Sequence, residues 1–204
     1  MTGILTTARL VCKDSQAREK AIEAFRKIIA YTQPHEPEVL QYVCTLPIDD
    51  SLGTEIYMIE EYANQAASDA HLATKPVQDL IQLFTTGDVL ASPPEVHNCP
   101  VKHKKSIGAP LSVSSNPVIV LLNSTSSSAD EWRGAVEGAR GLNLVAVVED
   151  KETDSVRTEM ILDEWRSYES FESGAGKSVA SPANEAVKIR PIAGYLGRED
   201  KSKL

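Results

Sequence analysis

The sequence is poor in the features that most readily betray a chemistry. Its three cysteines, Cys12, Cys44 and Cys99, are an odd number at irregular spacing. Such a set gives no disulfide framework and points to a reducing or neutral compartment. Basic charge is scarce as well: 21 Lys and Arg face 29 Asp and Glu, a net charge of −8. A surface that displaces phosphate counterions needs the opposite balance, so no nucleic-acid partner is expected. The one basic cluster, His103-Lys104-Lys105, reads as a solvated linker segment. No apolar run approaches bilayer length, so no membrane partner is expected either. The start, Met1-Thr2-Gly3-Ile4-Leu5, lacks the basic and long apolar regions of a secretory leader. The sequon at Asn123-Ser124-Thr125 is accordingly expected to stay unmodified.

What remains is an ordinary globular composition, 42% hydrophobic and 25% charged over 204 residues. That length allows one large domain or two small ones with a core that needs no staples. The chain ends in Ser202-Lys203-Leu204, the tripeptide read by the peroxisomal import receptor at a free C-terminus. The expected location is the peroxisome, with the cytoplasm as the alternative.

The first half alternates strand and helix signals. Ile4 to Cys12 reads as a strand, and Ala21, Ile22, Phe25, Ile28 and Ile29 share one helical face. Val39 to Leu46 and Thr54 to Tyr62 form a hairpin, followed by helix from Asn64, a fresh start at Pro76, and a short strand at Asp88 to Ser92. The second half repeats that order. Val118 to Leu122 is a strand, and Ser128-Ala129-Asp130-Glu131 has the form of a capping box. Leu142 to Val148 and Val156 to Trp165 form a second hairpin. Ser167 starts a helix that Asn184 to Val187 continues, and Ile189 to Leu196 closes the unit. The expected units are residues 1–92 and 117–198, joined by a Pro- and Ser-punctuated linker at 93–116 that runs over the outside and followed by a tail at 199–204.

Tyr57-Met58-Ile59-Glu60-Glu61-Tyr62 parallels Met160-Ile161-Leu162-Asp163-Glu164-Trp165 at an offset of 103 (165 − 62). With the matched element order, this marks a tandem repeat. Each βαββαβ unit makes a four-stranded antiparallel sheet with both helices on one face. Both faces of each hairpin carry apolar residues, so the bare faces are expected to pack together and enclose a space.

The segment Glu55-Ile56-Tyr57-Met58-Ile59-Glu60-Glu61-Tyr62-Ala63-Asn64, with His71 beyond it, resembles the antibiotic biosynthesis monooxygenase family in its tandem form. The resemblance is good from Ile4 to Ser92 and weaker from Val118 to Leu196, where Gly174 stands at the position of His71. It implies an α+β fold: two ferredoxin-like units packed sheet to sheet as a fused dimeric α+β barrel. It further implies oxygenation of a quinol, anthrone or other electron-rich aromatic by O2, with no flavin, haem or metal cofactor. Fold alone does not decide the reaction. The other reading is a non-catalytic barrel that binds a hydrophobic small molecule. Pairing of two chains into a homodimer is left open.

Cofactor-free oxygenation needs a base, donors for the resulting oxyanion and a dry cavity. His71 is the expected base by residue type, with Asn64 and Asp69 placed to orient it. Tyr57, Tyr62 and Trp165 are expected to line an aromatic-binding cavity, with core packing as the competing role. Arg157 is either an inward oxyanion partner or one side of a surface ion pair. Gly176-Lys177-Ser178 mimics the end of a phosphate loop, but Phe171 stands where the first glycine belongs. His97, Cys99 and His103 fall in the expected linker with no fourth ligand near, so no metal is expected there.

Deleting Ser202-Lys203-Leu204 should move an N-terminally tagged protein from peroxisomes to cytosol without changing its fold. Fluorescence microscopy with a matrix marker checks this, and a full-length chain that is already cytosolic would make the tripeptide a coincidence.

Overall fold

The computed structural model describes residues 3–125, 127–138, 142–163, 165–177, 179 and 185–198, with the backbone alone at 165–167 and 185. The elements run β1 (Ile4–Val11), α1 (Ser15–His35), β2 (Val39–Pro47), β3 (Glu55–Tyr62), α2 (Gln65–Leu72), α3 (Lys75–Thr86) and β4 (Glu95–Ser106). They continue with β5 (Val118–Ser124), α4 (Ala129–Gly138), β6 (Leu142–Asp150), β7 (Ser155–Leu162), α5 (Trp165–Ser173) and β8 (Glu185–Tyr195). Local signals place the helices. The Asp14 carboxylate accepts from Ala17 N at 2.7 Å and caps α1, and Ser128 and Glu131 form the reciprocal capping box ahead of α4.

The strands close into one antiparallel barrel in the order β1-β3-β2-β8-β5-β7-β6-β4. Each half supplies four neighbours, β4-β1-β3-β2 and β8-β5-β7-β6. The halves are joined by their last strands. Residues 95–100 of β4 pair with β1, and 101–106 pair with β6 of the other half. Likewise β8 pairs with β5 through Ile189 and with β2 from there to Tyr195. The fused barrel is therefore one hydrogen-bonded surface with no open edge.

Three apolar clusters follow from the alternation of strand side chains. Leu5, Val43, Ile59, Ile119, Ile161 and Ile189 meet inside the barrel. The opposite face of the first half packs Ile56, Met58 and Tyr62 under α1 to α3 against Ile22, Phe25 and Ile28. The same face of the second half packs Met160 and Leu162 against Trp132, Val136 and Phe171.

Several expectations are corrected here. The 93–116 segment is no outside linker: Glu95–Ser106 is a full barrel strand. It escapes periodicity because its inner side is mixed: Cys99 and Val101 join the interior apolar cluster, whereas His97 and Lys104 meet carboxylates. The strand expected at Asp88 to Ser92 is reduced to a single bridge, Cys12 with Leu90. Glu185 to Val187 begin β8 instead of continuing a helix. The 103-residue offset also fails in detail. Tyr62 pairs with Ile4 and Leu162 with Val118 at the ends of matching ladders, an offset of 100 (162 − 62). In a strand of period two, an odd offset would set inward residues against outward ones. By the same offset the counterpart of His71 on α2 is Phe171 on α5, both buried, and not Gly174.

Where β8 crosses onto β2, Gly194 has φ +113°, and an added Cβ would lie 2.1 Å from the Tyr42 carbonyl oxygen. Gly194→Ala should therefore cost about 1–3 kcal/mol or more of unfolding free energy. Gly134→Ala, on the exposed face of α4 with open space around it, should add about 0.5–1 kcal/mol. Chemical denaturation checks both, and an unchanged midpoint for Gly194→Ala would show that the crossing tolerates a side chain.

Candidate functional site

A cavity of about 280 Å³ opens inside the barrel, walled by both halves: Thr7, Arg9, Tyr57 and His97 from the first, Asn123 and Arg157 from the second. A neighbouring groove of about 300 Å³ shares Glu55, Tyr57 and Val187 with it. Two charged arrays line the wall. In one, Arg9 grips Glu55 through Nε at 3.0 Å and Nη2 at 2.8 Å, and the Tyr57 hydroxyl donates to Glu55 Oε2 at 3.2 Å. The Arg9 hydrogen bond holds the Glu55 carboxyl below its usual range. Burial, with Glu55 adding to it, pushes the Tyr57 phenol up to about 12.

In the other array, Arg157 Nε donates to Asp150 Oδ2 at 2.8 Å, and His97 Nδ1 lies 2.8 Å from that same oxygen, off the line of a good hydrogen bond. His97 Nε2 lies 3.0 Å from Glu95 Oε1. Asp150 is buried, which alone would raise its carboxyl. Hydrogen bonds from Arg157, Thr153 and the Glu152 N–H outweigh that and hold it at about 2. Asp150 thus stays an anion that fixes Arg157 and faces the His97 ring.

His71 lies elsewhere. It is 1% exposed, on the outer side of the sheet under α2, with its ring 5.2 Å from that of Tyr42 and 5.5 Å from that of Tyr62. Its Nδ1 is 3.0 Å from Glu36 Oε2, which also accepts from Thr32 Oγ1 at 2.8 Å. Tyr62 donates its hydroxyl to Glu60, whose carboxyl is raised by burial. Asn64 caps α2, its Oδ1 accepting from Ala67 N at 2.9 Å. The structure therefore splits the expected site. Tyr57 and Arg157 line the barrel cavity, whereas His71, Tyr62 and Asn64 belong to the helix layer outside it. Asp69 binds Gln65 on the exposed side of α2 and does not orient His71. The Trp165 side chain and Ser202, Lys203 and Leu204 lie outside the described residues.

The family model for antibiotic biosynthesis monooxygenase matches residues 7–83. Over that segment the chain is similar to this family. The match covers β1 to α3, the Tyr57 wall of the cavity and the His71 layer together. No curated protein matches the chain. Among solved structures, a candidate monooxygenase from Fusobacterium nucleatum is 14% identical with a TM-score of 0.76, covering 97% of this chain and 96% of that one. A second candidate monooxygenase, from Lactobacillus acidophilus, is 15% identical at TM-score 0.74, covering 97% and 98%. An anthrone oxidase-like protein is 12% identical at TM-score 0.63, covering 96% and 94%. At these identities the likeness is one of fold, and it extends over both halves of the barrel.

Arg9, Glu55, His97 and Asp150 escaped sequence reasoning. Arg9 and Glu55 were legible as inward positions, because they share strand parity with Leu5 and Ile59. His97 was hidden by the missed strand, and Asp150 by its place at the edge of a turn.

Since His71 is sealed between two tyrosines and a carboxylate, truncating it leaves buried polar groups without a partner. His71→Ala should lower stability by about 1–3 kcal/mol. Thermal unfolding measures this, and a variant as stable as the parent would mean that the ring is not the tie the geometry describes.

Proposed function

We propose that the chain is a cofactor-independent monooxygenase that oxidises a small aromatic, phenolic or quinol-type metabolite inside the barrel. The observation that carries the reading is the array on the cavity wall, where His97 stands between Asp150 and Glu95 with Arg157 on the same carboxylate. An electron-rich ring must lose a proton before it can pass an electron to O2. His97 is the group on that wall suited by type to take it, at Nε2, once the substrate displaces the exposed Glu95 carboxylate from that nitrogen. Arg157 and Asn123 face the same space and can hold the negative charge that forms on the substrate oxygen. For an activated ring methylene the balance is CH2 + O2 → C=O + H2O, which draws every electron from the substrate. The match to the monooxygenase family and the barrel shared with candidate monooxygenases support the class of reaction. The polar wall supports a substrate with an ionisable hydroxyl over a purely apolar one. We further propose a peroxisomal matrix setting, on the strength of Ser202-Lys203-Leu204.

The test is oxygen uptake by chelator-treated protein over a panel of quinols and anthrones. His97→Gln should lower kcat/KM by about 100-fold or more, the usual scale for acid–base groups, while leaving the fold intact. Arg157→Met should weaken turnover through the lost charge partner. Uptake by the parent and His97→Gln at the same rate would end the role given to His97. Ligand binding with no uptake across the panel would instead make the chain a binding barrel.

A further inference from the structure

The barrel interior holds a second polar cluster that shares no residue with the cavity wall. Gln41 of β2 and Glu159 of β7 reach each other from opposite halves of the chain, 0% and 1% exposed. Gln41 Nε2 donates to Glu159 Oε1 at 2.6 Å. The other two polar atoms of the pair, Gln41 Oε1 and Glu159 Oε2, are buried without a partner among the described residues. If Glu159 is ionised, both orphans are acceptors and nothing supplies a hydrogen. Turning the Gln41 amide over does not help, because it sets an oxygen against an oxygen. A proton on Glu159 would supply the donor that the pair lacks.

We infer that Glu159 keeps its proton in the folded chain up to the edge of neutral pH and, while protonated, forms a two-hydrogen-bond acid–amide pair with Gln41, a proton-operated clasp between the halves. The surroundings agree. Leu121 of β5 and Ala146 of β6 stand opposite Glu159 in its two ladders and carry no charge. Glu61 of β3 is also buried and keeps the nearby cation, Lys104 of β4, as its own partner. Burial pushes the Glu159 carboxyl up to about 7; Gln41 and Lys104 oppose the rise and Glu61 adds to it. The sign follows by linkage. The folded carboxyl is raised above its unfolded value, so its stabilisation is fully present below the ordinary glutamate range. It is lost as pH rises through about 7. Between those limits, folding takes up close to one proton at this residue.

The test is an NMR titration of protein labelled at glutamate side-chain carboxyl carbons, alongside thermal unfolding, both from about pH 4 to 8.5, a range that spans the ordinary glutamate value and the raised one. One carboxyl resonance should titrate near pH 7. It should be missing in Glu159→Gln and kept in Glu60→Gln, which separates it from the other raised glutamate. Glu159→Gln replaces the acid by an amide that can donate to Gln41 Oε1 at every pH. Its unfolding temperature should match the parent at the acid end and exceed it at the alkaline end. A Glu159 resonance that completes its titration in the ordinary range, near pH 4, overturns the inference. So does an unfolding temperature whose pH dependence is the same in Glu159→Gln and the parent. Should that variant fail to fold, the titration of the parent and of Glu60→Gln still decides.

Discussion

Everything in this chain depends on two long strands that each serve both halves. β4 leaves β1 for β6, and β8 leaves β5 for β2. A βαββαβ sheet alone has one face under helices and one face bare, with two open edges. Sharing the last strands removes both liabilities at once: the edges pair, and the bare faces become the inside of a barrel. The inward cluster of Leu5, Val43, Ile59, Ile119, Ile161 and Ile189 exists only because both halves contribute to it. The cavity exists for the same reason, since Tyr57 and His97 meet Asn123 and Arg157 only across that seam.

The seam also explains how charge comes to lie inside. Charged groups in a low-dielectric interior are tolerated when each has a partner and its remaining hydrogen bonds are met. Asp150 satisfies this with Arg157 and two backbone N–H groups at 3.0 and 3.4 Å, and it is held ionised. Glu159 has one amide donor, no bonded cation and a buried second oxygen, and it is pushed toward the neutral form. Two carboxylates inside one barrel are thus driven in opposite directions by the donors around them.

The two helix layers have diverged. Under α2 the first half keeps His71 bonded to Glu36 and Tyr62 bonded to Glu60, with the rings of Tyr42 and Tyr62 against that of His71. Under α4 and α5 the second half has Trp132 stacked on Phe171 with ring centroids 6.1 Å apart. The repeat conserves the shape of the layer while one copy is polar and the other is apolar. Its inner faces diverge too: at the shared offset Tyr57 corresponds to Arg157 and Ile59 to Glu159, so the single cavity is asymmetric.

The sequence by itself determined the local elements and the repeat. Helical periodicity around Ala21 to Ile29, the cap at Ser128 and the two hairpins are short-range signals, carried by residues a few positions apart. The family resemblance around Glu55 to His71 was equally local. What only the tertiary structure decided was partnership. The strand at Glu95–Ser106 has no apolar alternation, because half of it pairs with β1, half with β6, and its inward side meets Glu61 and Asp150. Whether Arg157 faced water or the cavity, and whether His71 faced a substrate or two tyrosines, turned on which side of a strand or helix the other half of the chain would cover. That is settled by contacts between residues far apart in sequence, such as His97 with Asp150 and Gln41 with Glu159, and no periodicity within either half encodes them.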